Sequence, residues 1–170
     1  PSILLWTHKT YLDGMVVPKV MYDNDFPMPH MFGGANLNFP GLGHLLHRAG
    51  AIFIKRSFQD NELYKLTLRY YIGYLMEKRF PMNWAFEGTR SRMGKLMPPR
   101  YGLLKYVLEA CHTTNAENIH IIPISISYDI IRDVEEYATE QTGRGKGAES
   151  LKWFIGYVRS LARPMGKVYM

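Results

Sequence analysis

Four short apolar runs, each leading into polar residues, constrain the fold of this chain more than any other feature. The runs cover residues 3–6, 51–54, 82–86 and 119–127. Their length and apolar character are typical of buried strands. Apolar residues recur with helical spacing in the segments that separate or follow these runs, at residues 42–49, 61–78, 101–111 and 149–162. Alternating strands and helices in a chain of 170 residues, 46% of them hydrophobic, predict a single α/β domain: a mixed, mostly parallel sheet flanked by helices.

Several local predictions accompany this fold. Pro123 deprives the last strand of one ladder donor, which predicts an edge strand or a bulge there. Residues 22–31 carry two prolines and acidic residues and are predicted to be an irregular connection, and residues 143–147 a flexible basic hinge. The tyrosines of the second helical segment are interpreted as core and interface residues: Tyr70, Tyr71 and Tyr74.

His8 comes just after the first predicted strand, at the end where open α/β sheets place their chemistry. Asp13 follows five positions later, and residues five apart on a regular α-helix point about 140° away from each other. The two side chains can therefore meet only through a turn or an irregular helix start, and the following Gly14 would permit such a bend. If they meet, the aspartate fixes the imidazole's tautomer and leaves the other ring nitrogen as a general base. Two loop residues that never touch would have the same spacing, so spacing alone leaves both interpretations open.

Basic residues follow two further strands. Lys55 and Arg56 come after the strand at 51–54, and Arg90 and Arg92 come shortly after the strand at 82–86. In an extended segment the two arginines of the second group point to the same side, so their guanidinium groups could clamp one phosphate dianion. A solvated basic turn is the alternative interpretation of the same residues.

Composition narrows the class of partner and the compartment. The net charge of +6 and the pI of about 9.4 favour anionic partners: nucleic acid, phosphorylated metabolites or anionic lipid. Cys111 is the only cysteine, which excludes an intrachain disulfide and favours a reducing compartment. No apolar run approaches the roughly 20 residues of a membrane span, so we expect any membrane contact to be peripheral. The chain begins at Pro1 without a start methionine, which suggests a fragment of a longer protein.

Taken in order, the motifs resemble those of the glycerolipid acyltransferase superfamily. They are His8-x4-Asp13, then Gly-Ala-Ile-Phe-Ile-Lys-Arg at 50–56, Phe-Glu-Gly-Thr-Arg-Ser-Arg at 86–92, and Ile-Pro-Ile-Ser-Ile-Ser-Tyr-Asp at 122–129. The continuation of the third motif through Met93, Gly94 and Lys95 is similar to the glycerol-3-phosphate and dihydroxyacetone-phosphate branch. The resemblance implies the glycerolipid acyltransferase fold. It also implies one acyltransferase domain over residues 1–170, with its core motifs at 8–129 and truncated at both ends.

The resemblance also implies a reaction and a set of roles. A fatty acyl group moves from an acyl-coenzyme A or acyl-carrier-protein thioester to the sn-1 hydroxyl of glycerol 3-phosphate, with no metal and no cofactor. His8 takes the hydroxyl proton and Asp13 holds His8. Six residues are implied in acceptor binding: Lys55, Arg56, Glu87, Gly88, Arg90 and Arg92.

The same resemblance implies a membrane-associated enzyme at the cytoplasmic face, with peripheral membrane contact and no nucleic-acid partner. Within the superfamily, dihydroxyacetone phosphate and lysophosphatidate are alternative acceptors. A non-catalytic, basic module that docks on anionic lipid or nucleic acid is the alternative from another class.

Overall fold

A five-stranded, wholly parallel sheet is the centre of the fold in the computed structural model, which describes residues 1–55, 57–58, 60–91, 95–131, 138, 151–162 and 166–170. Its strands are β1 (Ser2–Trp6), β2 (His30–Gly34), β3 (Ala51–Ile54), β4 (Met82–Ala85) and β5 (His120–Ile124). They lie in the order β3-β2-β4-β1-β5, and every neighbouring pair is parallel. Two short strands, β6 (Ser127–Tyr128) and β7 (Val168–Tyr169), form a separate antiparallel pair. The predicted α/β fold with a mostly parallel sheet is therefore confirmed.

Five α-helices lie in the described parts of the chain. They are α1 (Asp13–Asp23), α2 (Leu42–Arg48), α3 (Glu62–Glu77), α4 (Gly102–Thr113) and α5 (Leu151–Ser160), and a single 3₁₀ turn covers Ala35–Leu37. All four helices predicted from periodicity are present. Three differ from the prediction by one or two residues at their ends, and the fourth is described from Leu151 to Ser160. The predicted hinge at 143–147 lies outside the described residues.

The sequence prediction was wrong about two of the strands. Residues 22–31 are not an irregular connection throughout, because α1 extends to Asp23 and β2 begins at His30. The strand β2 has the sequence His-Met-Phe-Gly-Gly, in which Phe32 alone is buried, so it lacks the apolar run by which a central strand is recognised.

The predicted strand at 119–127 is interrupted after Ile124 and resumes at Ser127. Its edge position, expected from Pro123, is confirmed, since β5 pairs with β1 alone in the described structure.

The core has two layers, one on each face of the sheet, and β1 contributes to both. Ile3 packs into a cluster with residues of α3 and α4, whereas Leu4 and Trp6 pack with Val17 of α1 on the opposite face. Successive residues of a strand point to opposite faces, which explains why all of β1 is apolar apart from its first residue. A strand covered on both sides holds the residue that follows it in a fixed position.

The interpretation of the α3 tyrosines as core residues was wrong. Tyr70, Tyr71 and Tyr74 are 73%, 40% and 50% exposed. The buried face of α3 consists instead of Leu68, Ile72, Gly73, Leu75 and Met76. The helix therefore carries two apolar stripes, and the aliphatic stripe is the one that contacts the sheet.

Across the described parts of the chain, no α-helix has both the length and the apolar character that crossing a membrane requires.

Candidate active site

The candidate site lies where β1 and β4 end, at the carboxyl edge of the sheet. Trp6 pairs with Ala85 in the parallel register, so His8 and Glu87 each lie two residues beyond the last pair. The ladder continues past the strands, because the Phe86 N–H donates to the Trp6 carbonyl at 3.0 Å. Adjacent parallel strands thus bring together two side chains that are 79 residues apart in the sequence.

His8 and Asp13 are in contact, a possibility that their spacing had left open, and they meet through a turn that leads into α1. The His8 Nδ1 and Asp13 Oδ2 atoms are 3.1 Å apart, and Asp13 is the first residue of α1. The backbone N–H groups of Lys9 and Thr10 donate to the same carboxylate oxygen at 2.6 and 2.8 Å, which closes the turn. Gly14 is not responsible for the bend, since it lies inside α1 and is not among the glycines with positive φ.

The geometry suits His8 to act as a general base. Asp13 is fully buried and accepts hydrogen bonds only, so a proton on Nδ1 of His8 is stabilised and Nε2 keeps its lone pair. The His8 side chain remains 21% exposed, and the Trp6 ring contacts it edge-on with centroids 5.2 Å apart. A buried carboxylate that holds an accessible imidazole is the arrangement that activates a hydroxyl nucleophile.

Glu87 braces the loop that carries His8. It is 4% exposed, and its two carboxylate oxygens accept the backbone N–H groups of His8, at 3.1 Å, and of Met97, at 2.7 Å. The Ser91 N–H donates to the His8 carbonyl at 2.7 Å, so the N–H and the carbonyl of His8 are both hydrogen-bonded. The structure thus places Glu87 beside His8, with its carboxylate engaged by the backbone.

Gly88 occupies a position that disfavours any residue with a side chain. Its φ is +67°, and a Cβ there would lie 2.8 Å from Cγ of Arg100. Left-handed backbone is strained for residues with a side chain, and this close approach adds a steric clash. The glycine lets the chain turn directly after Glu87 and bring Arg100 against it.

Of the predicted phosphate-clamp residues that the structure describes, Arg90 lies near the His8 loop. Its guanidinium carbon lies 4.2 Å from the centroid of the Tyr11 ring, a cation–π contact. Tyr11 in turn contacts the rings of Trp153 and Tyr157 on α5, with centroids 4.5 and 5.6 Å apart. The cation–π contact holds the guanidinium group beside the loop.

Lys55, the other described member of the predicted set, follows a strand further from β1. Lys55 is exposed at the end of β3, and three inter-strand spacings of about 4.8 Å separate β3 from β1. Its Nζ atom lies 5.5 Å from the centroid of the Tyr64 ring. Arg56 and Arg92 lie outside the described residues.

Sequence reasoning missed two residues that contact the site. Tyr128 donates its hydroxyl hydrogen bond to Oδ1 of Asp13 from 115 positions away. Tyr11 supports Arg90, as described above. The sequence carried a weak indication of the first contact only, because Tyr128 belongs to the last of the four motifs.

The ionic balance at this edge favours anions. The carboxylates of Asp13 and Glu87 are buried and engaged by donors, whereas the cationic groups of Lys9, Lys55 and Arg90 are at least partly accessible. In the described residues, no three His, Cys, Asp or Glu side chains are grouped so that they could bind a metal ion.

Comparison with known proteins agrees with this geometry. A family model described as Acyltransferase matches residues 1–127. Proteins named "Putative acyltransferase plsB1" from Mycobacterium bovis and from two strains of Mycobacterium tuberculosis are 36% identical over 165 residues, which is 97% of this chain. The chain spans about 27% of the length of these curated relatives. The matched region contains the His8–Asp13 pair and the strands that position it, and the chain belongs to the Acyltransferase family.

Proposed function

We propose that the protein transfers a fatty acyl group from an acyl-coenzyme A or acyl-carrier-protein thioester to the sn-1 hydroxyl of glycerol 3-phosphate, giving lysophosphatidic acid in the first step of phospholipid synthesis. The observation that carries the proposal is the hydrogen bond between His8 and the buried Asp13 at the carboxyl edge of the sheet. Family membership supports acyl transfer. The continuation of the third motif through Met93, Gly94 and Lys95 resembles the glycerol-3-phosphate and dihydroxyacetone-phosphate branch and supports the choice of acceptor.

The reaction follows from the orientation of the imidazole. Nε2 of His8 accepts the proton of the sn-1 hydroxyl while the hydroxyl oxygen attacks the thioester carbonyl carbon. Asp13 stabilises the imidazolium through Nδ1. The tetrahedral intermediate then collapses, the carbon–sulfur bond breaks, and the departing sulfur takes the proton from His8. No acyl-enzyme forms, and the step requires neither a metal nor a cofactor.

Arg90 is the best-supported contact for the acceptor's phosphate. Its guanidinium group is held by Tyr11 next to the His8 loop, and a guanidinium fork can bind a phosphate through two parallel hydrogen bonds. Lys55, Arg56 and Arg92 complete the proposed set of cationic residues, and Glu87 and Gly88 shape the acceptor pocket by fixing the loop. The net charge of +6 fits peripheral contact with an anionic membrane at the cytoplasmic face.

The test measures thiol release from a long-chain acyl-coenzyme A, with glycerol 3-phosphate, dihydroxyacetone phosphate and lysophosphatidate offered separately. The full-length protein is compared with its His8→Ala variant and with His112→Ala, which removes an exposed histidine from the last turn of α4. We expect glycerol 3-phosphate to give the highest kcat/KM, His8→Ala to lower kcat by roughly 10² to 10⁴-fold, and His112→Ala to leave it unchanged.

Two results would contradict the proposal. Preference for dihydroxyacetone phosphate or lysophosphatidate would assign the protein to another acceptor within the superfamily. No thiol release with any acceptor, together with binding to anionic vesicles that survives His8→Ala and weakens with salt, would favour a non-catalytic lipid-binding module.

A further inference from the structure

We propose that Tyr128 is a positioning residue for the His8–Asp13 pair, acting through its hydrogen bond to Asp13. The proposal rests on the proposed function, in which His8 is the base. Tyr128 reaches the pair from β6, far along the chain, and donates to Oδ1, the carboxylate oxygen that His8 does not use.

The bonding of Asp13 explains why this donor matters. Oδ2 is shared by His8 and by the N–H groups of Lys9 and Thr10, all of which belong to one short loop. Among the residues that the structure describes, Tyr128 is the donor to Oδ1, and it comes from a different element. A fully buried carboxylate needs donors on both oxygens to remain charged and in one orientation. Tyr128 thus fixes the rotation of the carboxylate about its side-chain bond, and with it the direction of the lone pair that meets His8.

The backbone at Tyr128 is itself held in place by β7. It pairs with Val168 of β7, and the next residue, Asp129, exchanges hydrogen bonds with Lys167: the Asp129 N–H donates to the Lys167 carbonyl at 3.1 Å, and the Lys167 N–H donates to Asp129 Oδ2 at 2.8 Å. The backbone approach is close, because a Cβ on Gly166 would lie 2.7 Å from Cβ of Asp129. The pairing with β7 therefore supports the backbone that carries the Tyr128 side chain.

A second contact joins the same segment to the His8 loop. The Lys9 ammonium donates to the carbonyl of Ile126 at 3.2 Å, and Ile126 is fully buried against β1 and α1. Segment 126–128 thus contacts the loop at Lys9 and at Asp13. Two separate contacts on one short loop oppose its rotation as well as its displacement.

The test compares Tyr128→Phe with Tyr169→Phe in the full-length protein. Phenylalanine keeps the ring and removes only the hydroxyl, and Tyr169 lies on β7 beside Ser127 and is 54% exposed, which makes it the matched control. We expect Tyr128→Phe to lower kcat about 10-fold, as for the loss of one hydrogen bond to a charged group, and to leave KM for both substrates within about 2-fold. We expect Tyr169→Phe to match the parent.

A spectroscopic measurement tests the same link without relying on turnover. In protein labelled with ¹⁵N at histidine, two-bond ¹H–¹⁵N spectra report which ring nitrogen of His8 carries the proton, and His8→Gln identifies the signal among the six histidines. A fixed Asp13 favours the proton on Nδ1, whereas free imidazole favours Nε2. We expect a larger Nε2–H share for His8 in Tyr128→Phe than in the parent or in Tyr169→Phe.

An unchanged tautomer in Tyr128→Phe would overturn the proposal, even if kcat and KM changed together, because that combination reflects a general structural role. If the parent transfers no acyl group to any acceptor, the proposed function fails, and the tautomer measurement alone still decides whether Tyr128 positions the pair.

Discussion

Two buried carboxylates contact His8 at the candidate site, and their partners give them different roles. Asp13 and Glu87 are 0% and 4% exposed, and each accepts backbone N–H groups from the loops around it. The part of His8 that Asp13 contacts is the imidazole, whereas the part that Glu87 contacts is the backbone N–H. Asp13 therefore acts on the imidazole of His8, and Glu87 fixes the position of the His8 backbone.

The role of Glu87 can be tested by removing one acceptor. In Glu87→Gln one carboxylate oxygen becomes an amide NH₂ group, so either the His8 or the Met97 N–H faces another donor. We expect a loss of about 1 to 3 kcal/mol in the free energy of unfolding, because a buried donor is left without a partner. Urea denaturation measures this. The exposed Glu117 supplies the control, since Glu117→Gln should change stability by less than about 0.5 kcal/mol. Equal stability of the two variants would exclude Glu87 as a brace.

Sequence reasoning was informative for residues close to one another in the chain. It predicted that His8 and Asp13 meet only through a turn, and the structure has that turn. It could not predict the contact of Tyr128 with Asp13, because that contact depends on the interruption of the strand after Ile124 and on pairing with β7. The residues next to Tyr128 in the sequence predict neither the interruption nor the pairing.

At the scale of elements, periodicity predicted that α3 is a helix without predicting which of its faces is buried. The stripe containing Leu63, Leu66, Tyr70 and Tyr74 and the stripe containing Leu68, Ile72 and Met76 both have helical spacing. The choice depends on the shape of the sheet and of α4, where aliphatic side chains fit beside Trp84 and Val107. Strand β2 escaped prediction for a related reason: its central place depends on pairing with β3 and β4.

The two stripes of α3 make opposite predictions for substitution. Ile72 is fully buried, so Ile72→Ala should cost about 2 to 5 kcal/mol of unfolding free energy through lost burial and the cavity left behind. Tyr70 is 73% exposed, and Tyr70→Ala should change stability by less than about 0.5 kcal/mol. Urea denaturation of both variants with the parent decides the matter. A loss of more than about 2 kcal/mol of unfolding free energy in Tyr70→Ala would mean that the tyrosine stripe is part of the core.

At the scale of the whole molecule, the parallel sheet places the exposed ends of its strands, and the cations that follow them, along one edge. Because all five strands run the same way, the residues after β1, β3 and β4 lie at this edge, and they include Lys9, Lys55 and Arg90. The two acidic groups of the site are buried beneath them and engaged by donors. With an overall charge of +6, the edge should attract a phosphorylated acceptor before any direct contact forms.

This attraction predicts a dependence on salt that differs between two lysines. The Debye length falls from about 14 Å at 0.05 M salt to about 4 Å at 0.5 M, so long-range attraction of the acceptor should weaken and its apparent KM should rise several-fold, with kcat little changed. Lys55→Gln removes a charge from the carboxyl edge and should flatten that rise. Lys19→Gln removes a charge from α1 that is already paired with Asp23 at 2.5 Å, and should leave the salt dependence as it is in the parent. The measurement is the apparent KM for glycerol 3-phosphate against potassium chloride concentration for the three proteins. Because both variants have the same net charge, a difference between them reports where the charge lies, whereas identical curves would mean that only the total charge of the molecule acts on the acceptor.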